Sequence, residues 1–414
     1  MNFQSTSAEM ELLLCCARAH LDGQTLERIQ VLLRQSVDWQ HLIRNAFAHG
    51  VMPLLYRSLQ QSCREVVPQV YLDRLRDHFR ANVQRNLSIT AELLKLISLL
   101  ENQKIKVIPF KGPVLAALAY RDLSLRQFGD LDILVHKQDI PKAGSLLVSQ
   151  GYRSGSEHPA GLEHDFDPEK VAYVGPKFYI FVHPGRRIIV DLQWRVTEQY
   201  FSFSLDRDAL WSRLVPVSLA GRTVITFAPA DLLLILCVHG SKHRWEKLKW
   251  ICDVAELVRV YKEEIDWMEV KEEASRQAVE RMLALGLFLA QEFLGTTLPN
   301  EVSKQISKEL GPQSGFQQIR ERLFAQTDEP RRKIEKVIFY LRTKDGWRDR
   351  FQFCFYYLSQ CVQAIVTPTT KEQRVLPLPV PLYFLYYFFR PFRLTVKYGL
   401  LGLVRLYKGN SPRQ

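Results

Sequence analysis

Little in this chain points to covalent cross-linking. Its 414 residues include seven cysteines, scattered and without a paired CxxC spacing. Most fall inside apolar helical patterns, so buried free thiols in a reducing compartment are expected in place of disulfides or a cysteine zinc site. The opening residues, MNFQSTSAEMELLL, lack a basic segment leading into an apolar core and a cleavage site. They do not read as a secretory signal, and a cytoplasmic protein is expected. There is also no internal repeat and no long low-complexity segment. The longest unbroken apolar part of the C-terminal region, Leu382 to Phe389, falls short of the about twenty residues that span a bilayer.

What is present is an ordinary globular composition, 47% apolar and 24% charged, long enough for two or three domains. The net charge of +12 favours a polyanionic partner such as RNA, a nucleotide or an anionic membrane. The basic residues are dispersed, with small clusters at Arg186-Arg187 and from Arg331 to Lys333, and form no single tract.

Apolar residues recur at three- and four-residue spacing from about 8 to 100, which predicts helices broken near Pro53 and Pro68. At 105 the pattern changes. IKVIPF reads as a short strand ending at Lys111-Gly112, and Pro113 opens the helix-like VLAALAY. After the loop RDLSLRQFG comes the strand DLDILVH, then a helix from about 139 stopped by Gly151. KFYIFVH and RRIIVDLQW read as a strand pair around an HPGR turn. The helical period returns at Pro229 and runs on to the aromatic, basic C-terminal region.

Asp130 and Asp132 stand one residue apart at the head of the DLDILVH strand, so both project from the same face. Like charges that close repel strongly unless a cation lies between them, and oxygen donors select a hard ion such as Mg²⁺. The alternative is a pair of solvated acids at a strand start. Three features favour the metal. Lys111-Gly112 at a strand-to-helix turn suits a phosphate, Arg126 offers a planar donor fork, and Asp191 is a third acid in an apolar strand.

Taken together, KGPVLAALAY, RDLSLRQFGDLDILV, GY and VDLQW resemble the nucleotidyltransferase superfamily related to DNA polymerase β. Within it, the chain resembles a large bacterial nucleotidyltransferase family with the pattern KG…Y…R…DxDxLV…GY…DxHW, followed by H…H.W..L.W..D. The likeness covers roughly 105 to 255, and more loosely the N-terminal helices. It implies an α+β fold, a small mixed sheet flanked by N-terminal and C-terminal helical regions, and an NTP such as ATP bound with Mg²⁺. Asp130 and Asp132 would be metal ligands, Asp191 the third carboxylate, and Lys111, Gly112 and Arg126 nucleotide contacts. The chain departs at Pro113, where relatives often have serine, and at Gln193, where the family has histidine.

His239 and His243 are four apart on one helical face, but Gly240 stands where an HExxH zinc site has glutamate. Two polar-facing histidines on a packing helix are one reading. The resemblance implies another, a helical subdomain closing on the nucleotide with Lys242, His243 or Arg244 on phosphate or base, Trp245 or Trp250 stacking, and Asp253 orienting a histidine. Residues 376–404 interleave aromatics with Arg390, Arg393 and Lys397, as an interfacial helix on anionic lipid does; a packed helical hairpin is the alternative. The expected organisation is a helical region over 1–100, an α/β core over 101–228, a helical subdomain over 229–300 and a helical C-terminal region over 301–414. The leading functional expectation is Mg²⁺-dependent NMP transfer to a small molecule, RNA or protein. A degenerate nucleotide sensor or scaffold and an RNA-binding protein are the alternatives.

Overall fold

The structure is a computed structural model that describes residues 7–154, 178–186, 188–197, 207–310, 316–324, 333–366 and 385–395. Five helices come first: α1 (Ala8–Cys16), α2 (Gly23–Leu33), α3 (Trp39–His49), α4 (Met52–Ser62) and α5 (Gln69–Asn102). Side-chain oxygens of Ser7, Asp22 and Asp38 accept from the first-turn amides of α1, α2 and α3, satisfying donors that have no partner within the helix. Pro53 sits in the first turn of α4 and Pro68 caps α5, so both prolines open helices. At 34 residues, α5 is about 50 Å long at the usual rise per residue.

The α/β part follows: β1 (Val107–Pro109), α6 (Gly112–Leu115) with a π-helical turn at Ala116–Tyr120, β2 (Asp130–Val135), α7 (Ile140–Ser149), β3 (Arg153–Ser154), β4 (Phe178–His183) and β5 (Ile188–Gln193). The sheet order is β1-β2-β5-β4-β3. β2 runs antiparallel to β1 and parallel to β5, while β4 is antiparallel to β5. The pairing of Phe178 with Gln193 through to His183 with Ile188 is the strand pair expected from KFYIFVH and RRIIVDLQW. Leu131, Ile133, Val190 and Leu192 are buried; Asp130 and Asp132 alternate with the β2 pair and so lie on the opposite face.

After α8 (Arg207–Ser212), strands β6 (Val215–Leu219) and β7 (Arg222–Thr226) form a separate hairpin. Its turn uses Ala220 and Gly221, both at positive φ (49° and 81°), the geometry favoured where two strands join tightly. The Thr226 hydroxyl donates to the Pro109 carbonyl at 2.7 Å, which docks the hairpin on β1.

The remaining elements are α9 (Pro229–Lys242), α10 (Leu248–Tyr261), α11 (Trp267–Arg276), α12 (Glu280–Leu294), α13 (Asn300–Leu310), α14 (Phe316–Phe324), α15 (Lys333–Thr343) and α16 (Trp347–Val366), with a further helical stretch at 386–395. One hydrophobic core runs from Met10 through the sheet to Phe339. The N-terminal helices share it with α10. The Ala19 amide donates to Glu256 at 2.8 Å and the Leu248 amide to His49 Nδ1 at 3.3 Å. Between α9 and α10 the chain reverses through Arg244 and Trp245, both at φ 55°. Trp245 is fully buried against Gly240, where an added Cβ would lie 2.4 Å from the indole ring. Trp245 is therefore a core residue and not a stacking platform.

The fold is α+β, a small mixed sheet enclosed by helices. Cys15, Cys16, Cys63, Cys237 and Cys252 are free and buried as expected, whereas Cys354 is exposed. The expected aromatic C-terminal segment lies outside the described residues except for 385–395.

Candidate active site

The register of β2 against β5 builds the site. Asp132 is directly opposite Asp191, and Asp130 is opposite Ile189. Strand alternation then puts Asp130, Asp132, Asp191 and Gln193 on one face. Asp130 is exposed, Asp191 half-buried and Asp132 buried, so the acids descend from solvent into the sheet.

Asp132 has two partners on a single oxygen. Lys111 Nζ lies 3.2 Å from Oδ1, and Gln193 Nε2 donates to the same atom at 2.7 Å. Lys111 reaches it from the turn after β1, with its ammonium 5.1 Å from the centre of the Phe110 ring. Gly112 makes the turn possible. Its φ is +51°, and a Cβ there would meet the Asp130 carbonyl oxygen at 3.2 Å. A larger residue would be strained and would push the turn off the head of β2.

Among the described residues no three carboxylate, imidazole or thiolate groups are arranged around a common point. The three acids expected to share a metal are brought to one face, but their side chains do not converge, and Asp132 is held by Lys111 and Gln193. Carboxylate oxygens are the donor type that would suit a hard ion such as Mg²⁺, and Asp130, Asp132 and Asp191 are the residues that would hold it.

Arg126 has a different place from the one its position in the sequence suggests. Its Nε and Nη2 donate to the two oxygens of Asp253 at 2.7 and 2.9 Å, and the side chain is only 7% exposed. The Tyr120 hydroxyl donates to the same carboxylate at 2.8 Å. The fork expected on phosphate is filled, and Asp253 orients an arginine and a tyrosine instead of a histidine. Burial pulls the Arg126 pKa down, but the Asp253 charge and its hydrogen bonds outweigh it and the net shift is upward. Burial, reinforced by the Asp253 charge, raises the Tyr120 phenol well above its ordinary range.

This network fixes the loop before β2. The Asn86 amide on α5 donates to the carbonyls of Leu123 and Arg126 at 2.6 and 2.9 Å, and Asn82 donates to that of Ser124 at 3.0 Å. Neither asparagine stands out in sequence, since a polar residue in a long helix normally faces water.

Lys242 and His243 end α9. The His243 ring stacks on Trp250 of α10 (centroids 4.8 Å apart, 28° between planes), and His239 meets the His243 ring edge-on at 4.6 Å. The Lys242 carbonyl accepts from Tyr340 of α15 at 2.6 Å. Trp250 precedes Asp253 by three residues, a spacing that puts neighbours on one helical face. Lys249, whose electrostatic neighbours include Asp253 and Asp130, and Arg85, whose guanidinium lies over Gly129, also stand near the acids; the spacing of Lys249, four residues before Asp253, is their one signal in the sequence.

Residues 35–295 match the family described as uncharacterised nucleotidyltransferase. The chain belongs to this family. The matched span takes in α3 to α12, so the N-terminal helices from α3 onward are part of the family unit along with the sheet. A solved antigenic nucleotidyltransferase-like protein from Paracoccidioides brasiliensis is similar over 51% of this chain and 93% of its own, at 14% identity and a TM-score of 0.30. At that score it adds nothing to the assignment, which rests on the family match. No curated protein matches the chain.

Proposed function

We propose that this nucleotidyltransferase family member moves an NMP group from an NTP to an acceptor hydroxyl or phosphate. The observation that supports this most is the β2–β5 register, which sets Asp132 beside Asp191 with Asp130 on the same face and Lys111 above them. Asp130 and Asp132 would hold Mg²⁺, with Asp191 as the third carboxylate. Bound Mg²⁺ neutralises phosphate charge and lowers the pKa of an acceptor hydroxyl. The new bond joins the acceptor oxygen to the α-phosphorus, and the α–β bridge breaks to release pyrophosphate. Lys111, once it leaves Asp132, moves its charge to the phosphates beside the Gly112 turn, while Gln193 keeps Asp132 oriented. Lys242 and His243 close on the nucleotide from α9, with Trp250 backing the histidine. A small metabolite, an RNA end and a protein side chain are all acceptors that this chemistry serves.

The test compares transfer from α-³²P- and γ-³²P-labelled NTPs into metabolite, RNA and protein fractions. Transfer of the α label alone, lost in Asp130→Asn and Asp132→Asn, is the expected result. Label from the γ position, or α transfer that survives both substitutions, would sink the reading.

The double hold on Asp132 supports a second reading, a nucleotide-binding sensor that has lost turnover. Nucleotide binding that persists unchanged when Mg²⁺ is chelated, without transfer, would select it. A separate feature supports an anionic membrane surface as a partner. Trp347, Phe351, Phe355, Leu358 and Val362 are all exposed along one face of α16, and Phe388 and Phe392 are exposed beyond it. Co-sedimentation with phosphatidylserine vesicles, lost in Phe351→Ser/Phe355→Ser, tests that contact.

A further inference from the structure

Two cations beside the acids have no role in the reading above. Arg85, on α5, passes over Gly129, the residue before Asp130. A Cβ on Gly129 would lie 2.7 Å from the guanidinium. Arg85 is exposed, and no carboxylate among the described residues lies within ion-pair distance of it. On another side, Lys249 in the first turn of α10 runs its stem over Gly50, where an added Cβ would meet its Cδ at 2.9 Å. Gly50 ends α3 in the left-handed region at φ 70°, so it both turns the chain and leaves room for the lysine.

Lys249 is half-buried and likewise has no ion-pair partner among the described residues. Its pKa is lowered, first by burial and then by repulsion from Arg126, against the attraction of Asp253 and Asp130. Those neighbours put it at the junction of the Arg126–Asp253 pair and the head of β2. A half-buried ammonium without an ion-pair partner has its charge available to an incoming anion. The stem of Lys249 crosses Gly50 and the guanidinium of Arg85 lies over Gly129, so one cation approaches from α10 and the other from α5.

We propose that Arg85 and Lys249 form a polyphosphate clamp from outside the sheet, gripping the β- and γ-phosphates of the substrate while Lys111 holds the inner end. The clamp adds cations that the Gly112-Pro113 turn does not supply. It makes α3, α5 and α10 contributors to substrate binding. Its identity as a triphosphate site rests on the nucleotidyl-transfer reading; its affinity for a polyphosphate chain does not.

The test is equilibrium binding by calorimetry in Mg²⁺, using inorganic tripolyphosphate, the α,β-methylene analogue of ATP, and AMP. The proteins are wild type, Arg85→Ala, Lys249→Met and Lys249→Arg, with thermal melts alongside. Each of the first two variants is expected to bind tripolyphosphate and the triphosphate analogue about tenfold more weakly, the usual size for a lost charged hydrogen bond. AMP binding stays unchanged, Lys249→Arg keeps most of the affinity, and Lys249→Met melts no lower than wild type. Equal binding of tripolyphosphate by wild type and both variants overturns the clamp and leaves nucleotidyl transfer standing. Equal losses for AMP and tripolyphosphate, with a lowered melting temperature, also overturn it. Wild type that binds tripolyphosphate but no nucleotide keeps the clamp and removes the nucleotidyl-transfer reading. Wild type that binds none of the three removes both.

Discussion

Two acid–base pairs near the head of β2, Arg126 with Asp253 and Lys111 with Asp132, are built differently. Asp253 receives both arms of Arg126 and the Tyr120 hydroxyl, so each of its oxygens is matched. Asp132 receives Lys111 and Gln193 on one oxygen. The first pair is a rigid fork on a carboxylate, the geometry in which buried charges hold best. The second joins a flexible ammonium to an acid beside two other acids, and a competing cation can displace it. Burial alone does not separate scaffold from site; how completely the acid is satisfied does.

Substitution at the two acids should divide the effects. Asp132→Asn is expected to lower α-label transfer by at least about a thousandfold, the scale for removing a group that handles transition-state charge, with little change in the denaturant midpoint. Asp253→Asn should do the reverse in kind. It leaves Arg126 buried without its counter-charge and should cost about 3–5 kcal/mol in urea unfolding. If Asp253→Asn is as stable as wild type, the fork is not the scaffold described here. Lys111→Met should raise KM for the NTP by about ten- to a hundredfold, as expected for a lost charged contact, and move the melting temperature little. A large fall in stability instead would make Lys111 a structural partner of Asp132. The smallest effect is expected at Tyr120→Phe, which removes one of three donors to Asp253 and should cost about 1 kcal/mol.

The same contrast explains what could be read from the chain. DLDILV, IKVIPF and the HPGR-linked pair declare themselves through alternation and turn chemistry, which are local. The common face of Asp130 and Asp132 follows from the two-residue period. The role of Arg126 is not local, because its partner stands 127 positions away and a donor fork looks alike in sequence whether it awaits phosphate or already holds a carboxylate. Asp191 could be picked out as an acid in an apolar strand, but its seat opposite Asp132 depends on β5 entering between β2 and β4, which no local pattern specifies. The β6–β7 hairpin has a local signal in VPVSL and RTVIT around Ala-Gly. Beyond the spacing of Lys249 from Asp253, Lys249 and Arg85 give no signal of their own, since their interest lies in the glycines they cross.

The insertion of β5 between β2 and β4 also bears on how the chain is made. Gln193 and Asp132 are 61 positions apart, so during synthesis β2 emerges and pairs with β1 well before β5 exists. For that interval β2 is an open sheet edge carrying Ile133, Leu134 and Val135, a template for wrong partners. The acids at its head guard that edge against a second copy pairing parallel and in register, which would set like charges opposite one another. Nascent chains halted before residue 188 should therefore aggregate faster when both acids are replaced by asparagine, as light scattering of the released fragments would show. Asp130 and Asp132 have work to do before there is a site for them to serve.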